Sequence, residues 1–155
     1  MHRRALRPIC TMPHLVILYT GNLDAVSDMT ALCRALADAM LSITDDGGRQ
    51  VFPTGGTRVL AYPAPHFAVA DGGAAGLAAG LGGDYGFVYL HLRMGRGRSA
   101  EVHARAGRTL EAVARAHFAP LLASRPVGLT LQIDEGAEVF DAKNSSLHPL
   151  FTPRG

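Results

Sequence analysis

The hydrophobic period of this chain passes from strand-like to helix-like and back, and it does so twice. Residues 14–19, His-Leu-Val-Ile-Leu-Tyr, are rich in strand formers and apolar on both faces, predicting a strand covered on both sides. A turn follows at Gly21 and Asn22. From Ser27 to about Leu41, Met29, Leu32, Cys33, Leu36 and Met40 recur at three- and four-residue spacing, predicting an amphipathic helix capped by Ser27 or Asp24. Asp45 to Gly48 ends it, and a second strand is expected at Arg58-Val59-Leu60-Ala61-Tyr62. Pro63 and Pro65 make that strand short or an edge.

Asp84 to Met94 opens the second round. Val88, Leu90 and Leu92 point one way, and Tyr89, His91 and Arg93 the other. A Gly-Arg-Gly-Arg-Ser turn leads into a helix from Ser99 to about Ala123. Val102, Ala106, Leu110, Val113 and Phe118 form its buried face, with Glu101–Arg105 and Glu111–Arg115 as outer pairs. Pro126 breaks it, and Val127 to Ile133 alternates as a fourth strand. The fold class is therefore α/β (α+β in some schemes): duplicated β-α-β units over 13–71 and 84–134, parallel within each unit. Between them, residues 72–83, GGAAGLAAGLGG, read as a flexible loop or insertion, with a short helix as the alternative. Asn144 to Phe151 shows no period. Four strands with two helices on one face leave the other face open around Tyr89 and His91, and such a face calls for a partner subunit.

Composition narrows the class. At 155 residues, 48% hydrophobic and 18% charged, the chain has enough apolar material for one domain and is too weakly charged for disorder. No uncharged apolar run reaches the ~18 residues of a membrane span. Cys10 and Cys33 are too few for a disulfide scaffold or a structural zinc site, so a reducing cytoplasm is the expected compartment. Arg3, Arg4 and Arg7 supply the positive balance; without residues 1–12 twelve cations face thirteen acids, which argues against a nucleic-acid binder. MHRRALRPICTM is a poor secretory signal. It reads as a weak transit peptide or as sequence upstream of a true start at Met12.

Few residues suggest chemistry on pattern alone. There is no GxSxG, HExxH, GxxxxGK[ST] or CxxC. The Gly95–Ser99 turn offers backbone N–H groups and Arg98 to an anion, or is simply a glycine turn with a solvated arginine. Pro13 is structurally ordinary at the first position of a strand. The seven histidines are scattered and suggest no metal site; His91 reads as a packed interface residue and Cys33 as an inert core residue.

Read from Pro13 onward, several stretches keep a shared order: Pro13-His14-Leu15-Val16-Ile17, Phe52-Pro53 to Gly56-Thr57-Arg58, Asp84-Tyr85-Gly86-Phe87-Val88, Gly95 to Ser99, His117-Phe118-Ala119, and Leu147-His148-Pro149-Leu150-Phe151. In these the chain resembles the 5-carboxymethyl-2-hydroxymuconate isomerase family of the tautomerase superfamily, related to 4-oxalocrotonate tautomerase. The resemblance implies a cofactor-independent keto–enol isomerase of aromatic-acid catabolism, with no metal, acting as a homotrimer. It implies an amino-terminal proline base, matched by Pro13, and two substrate-binding arginines, matched by Arg58 and Arg98. The implied substrate is a small dicarboxylate or tricarboxylate dienol.

Three departures accompany the resemblance. Retention of residues 1–12 would make Pro13 a tertiary amide with no basic nitrogen. Leu18 stands where the family commonly has glutamate, and the 72–83 insertion is expected to reshape the pocket mouth. Two other readings stand beside it: a catalytically silent trimer binding a small carboxylate because Pro13 is blocked, and an arginine-rich β-α-β module for nucleic acid. The amino terminus of the native protein separates the first from the isomerase, and salt-dependent binding to RNA or DNA would mark the second.

Overall fold

A computed structural model describes residues 13–136 and 138–151; the expectations for residues 1–12 lie outside them. Four strands, β1 (His14–Thr20), β2 (Arg58–Ala64), β3 (Gly86–Met94) and β4 (Val127–Glu135), form one sheet in the order β2-β1-β3-β4. β1 runs parallel to β2 and β3 parallel to β4, and the central pair β1–β3 is antiparallel. This is the expected duplicated arrangement. Pro63 is tolerated because β2 is an edge strand.

The two crossover helices, α1 (Met29–Ser42) and α3 (Ala100–Ser124), account for the core. Leu15, Ile17 and Tyr19 of β1 and Val88, Leu90, Leu92 and Met94 of β3 are buried with Leu32, Leu36 and Met40 of α1 and Val102, Ala106, Leu110 and Phe118 of α3. Every second residue of β3 faces this layer, as its alternation predicts. β1 departs from expectation: with both helices on one side, Leu18 is left 48% exposed, so the strand is covered on one face only.

The helix ends also correct the sequence reading. α1 begins at Met29, and its cap is Asp28, whose carboxylate accepts from Ala31 N at 2.9 Å; Ser27 instead meets His117, Oγ to Nε2 at 2.9 Å. Ser99 caps α3 through Val102 N. Glu111 and Arg115 pair at 3.2 Å, but Arg105 turns from Glu101 to Asp46 at 2.9 Å and the Thr44 carbonyl at 2.7 Å. A charged loop acceptor plus a carbonyl gives its fork two directed partners, more than one exposed helix pair offers. Cys33 is half-buried against the core rather than within it.

The glycine-rich stretch holds a short helix, α2 (Ala74–Ala78), rather than a featureless loop. Asp71 accepts from Gly73 N and Ala75 N, and Tyr85 Oη accepts from Gly76 N at 2.8 Å. A Cβ on Gly76 would lie 2.2 Å from the Gly82 carbonyl oxygen, so the close turn requires glycine there.

Candidate active site

Antiparallel pairing of β1 with β3 decides which residues meet. It brings the start of β1, the start of β2 and the end of β3 to one end of the sheet, with His14 opposite both Arg58 and Arg93. Pro13, buried, lies one residue before His14 at this end. The Gly95–Ser99 turn carrying Arg98 leaves β3 here too. All three residues singled out by the resemblance thus sit at the same end of the sheet.

Their side chains divide. Val59 and Ala61 pack on the core, so Arg58, at the alternate position, faces the open side of the sheet. Its Nη1 donates to the Gly56 carbonyl at 3.0 Å, and the residue lines a cavity of about 470 Å³ with His14, Arg93, Met94 and Gly95. Residues Glu138, Asp141, Lys143 and Asn144 of the C-terminal segment close its other side. Arg98 does not line this cavity: its Nη2 donates to the Val51 carbonyl at 2.7 Å, holding it toward the 43–52 loop.

That loop is built to accept Arg98. Val51 and Phe52 are buried, Val51 N donates to Ile43 O at 2.9 Å, and Arg105 ties the loop to α3. Hydrogen bonds from the backbone of Arg49 and then Gly47, with the Arg49 and Arg98 charges, hold the Asp45 carboxyl below its ordinary range. The following 3-10 turn, Thr54–Gly56, positions Arg58. A Cβ on Gly55 would lie 2.8 Å from His148 Nδ1, so this glycine admits the C-terminal 3-10 turn His148–Phe151. Two stretches that carried the resemblance, far apart in sequence, therefore touch.

Arg93, Lys143 and Asn144 were not singled out from the sequence. The alternation of β3 sets Arg93 on the open face, but only the pairing of β1 with both neighbours shows that it shares a cavity with Arg58. The 72–83 insertion is a correction. It enters β3 at Gly86, and nine residues of β3 place it roughly 30 Å from the Pro13 end. Within this chain it cannot shape the mouth of that cavity. Leu18 stands on the open face between Tyr62 and Tyr89, roughly 17 Å along β1 from Pro13.

A family model described as 5-carboxymethyl-2-hydroxymuconate isomerase matches residues 13–151. The 5-carboxymethyl-2-hydroxymuconate Delta-isomerase of Escherichia coli is 29% identical over 140 residues, covering 90% of this chain and 99% of that protein. A crystal structure of a 5-carboxymethyl-2-hydroxymuconate delta-isomerase superposes with a TM-score of 0.90 at 68% identity, covering 94% of this chain and 97% of the other. A 5-carboxymethyl-2-hydroxymuconate isomerase from Deinococcus radiodurans R1 gives 0.75 at 32% identity, covering 93% and 97%. With a family match over almost the whole described chain and the same fold in both crystal structures, this chain belongs to the 5-carboxymethyl-2-hydroxymuconate isomerase family and is an enzyme, an isomerase.

Proposed function

We propose that the chain converts 5-carboxymethyl-2-hydroxymuconate, or a similar 2-hydroxymuconate-type dienol, to its conjugated ketone in aromatic-acid catabolism, with Pro13 as general base. The observation that carries this reading is the position of Pro13, buried at the foot of β1 immediately before His14, which lines a cavity with Arg58; Pro13 itself is not among the residues lining it. The active form is a cytoplasmic homotrimer whose chains begin at Pro13, after initiation at Met12 and loss of that methionine.

The chemistry requires an amine that is neutral at physiological pH. An α-amino group titrates near 8 and a secondary amine somewhat higher, so the base is free at neutral pH when its surroundings disfavour the protonated form. Burial and nearby guanidinium charge both disfavour the protonated form. Neutral Pro13 takes the 2-hydroxyl proton and returns a proton to the distant carbon. Arg58 and Arg98 bind the substrate carboxylates and stabilise the dienolate between the two transfers. For Arg98 this role requires its guanidinium to leave the Val51 carbonyl or to reach the substrate while holding it.

The test compares the chain beginning at Pro13 with one retaining residues 1–12. Ketonisation followed by ultraviolet absorbance should be fast in the first and lost in the second. Equal rates would remove Pro13 from the mechanism. Failure of both to turn over the dienol would remove the activity.

A further inference from the structure

The cavity beside Pro13 holds a second arginine that the preceding reading does not use. Across the open face, the backbone register sets Arg58, His14, Arg93 and Asp134 in one row on four neighbouring strands. Arg58 and Arg93 are two strand spacings apart, about 10 Å, with His14 between them. Asp134, the acid beside Arg93 in the row, is already engaged by His91, Nε2 to Oδ2 at 2.6 Å. Among the described residues neither arginine is in an ion pair with a carboxylate. Of the two acids lining the cavity, Asp141 pairs with Lys143 at 3.0 Å, and Glu138 is on the exposed segment opposite. The cavity therefore presents two guanidinium groups without acid partners on its sheet wall.

We propose that Arg93 is a specificity-determining residue that binds the third carboxylate of the substrate, the carboxymethyl group, and so distinguishes three-carboxylate from two-carboxylate dienols. This rests on the reading of the cavity as the substrate site. The diacid backbone of the dienol carries two carboxylates, for which Arg58 and Arg98 suffice; the carboxymethyl branch adds one more. Arg93 meets the requirement for a third contact: its planar fork suits a bidentate carboxylate, and it lies across the cavity wall from Arg58. A group of this kind discriminates strongly because a substrate without the branch leaves the guanidinium unmatched.

The experiment uses the chain beginning at Pro13 and its Arg93→Met and Arg93→Lys variants. Turnover is measured on 5-carboxymethyl-2-hydroxymuconate and on 2-hydroxymuconate. Binding of two unreactive saturated analogues, adipate and 2-carboxymethyladipate, is measured by calorimetry. In R93M, kcat/KM for the three-carboxylate dienol should fall by about 10- to 100-fold, mostly through KM, while the two-carboxylate dienol changes by less than about threefold; R93K should restore part of the loss. The preference for 2-carboxymethyladipate over adipate should disappear in R93M. Equal losses on both dienols, or a preference unchanged by R93M, would overturn the assignment. If the parent protein turns over neither dienol, the general-base reading fails, while the calorimetric preference still decides the role of Arg93.

Discussion

At the residue scale, His117 shows how a partner and a burial site set a proton's behaviour. Its Nε2 contacts Ser27 Oγ at 2.9 Å, its ring meets Phe118 edge-on at 4.9 Å, and burial lowers its pKa, partly opposed by the Asp28 charge. The neutral imidazole is thus the form the fold accepts. Because the folded value is below the ordinary 6.5, the unfolded chain takes up the proton first as pH falls. The contribution of His117 is full above about 6.5 and is lost as pH drops from there through the lower folded value. Urea midpoints should fall between pH 7 and 5, and His117→Asn should flatten part of that slope; an identical slope in the variant would show that His117 does not govern it. The stretches around Pro13, Arg58 and Arg98 drew notice to these residues, and the strand pairing sets them at one end of the sheet. Arg93 was legible only as an outward side chain, because its neighbourhood with Arg58 depends on three strands in register.

At the element scale, pattern fixed the two helices and four strands to within a few residues, but not the contacts that terminate them. Ser27 and Asp28 are both good capping types, and the choice between them belongs to His117, ninety residues away, which engages the serine hydroxyl. Asp28→Ala should therefore cost about 1 kcal/mol of unfolding free energy, measured by chemical denaturation, as the lost cap of α1. A change within a few tenths would place the cap elsewhere. The same limit explains Arg105, whose partner Asp46 comes from a loop with no period to read, and residues 72–83, whose order depends on Asp71 and Tyr85 at their two borders.

At the scale of the whole molecule, the open face of the sheet is the feature that asks for another chain. Leu60 is 44% exposed, Tyr62 49% and Phe87 36%, and beyond the sheet Val139 and Phe140 stand almost wholly in solvent. An apolar sheet face of this kind normally finds a protein partner. On the proposed homotrimer, Leu60→Asp, on the edge strand, should lower the mass by native mass spectrometry from three chains to one, with the far-ultraviolet circular dichroism unchanged. Retention of three chains would exclude this part of the sheet as the contact, and a monomeric parent protein would exclude the trimer itself.

The repeat of the β-α-β unit has a further consequence for stoichiometry. If β1 and β3 are matched start to start, the counterpart of Pro13 is Tyr85, whose nitrogen sits in the middle of the polypeptide and can never be an amine. That end is sealed instead: Asn22 Nδ2 donates to the Tyr85 carbonyl and to Asp84, both at 2.8 Å, and the Tyr85 hydroxyl is held by Gly76. The architecture was doubled but its two ends were not: on the proposed reading the Pro13 end alone holds a reaction centre, and its twin end is a clasp.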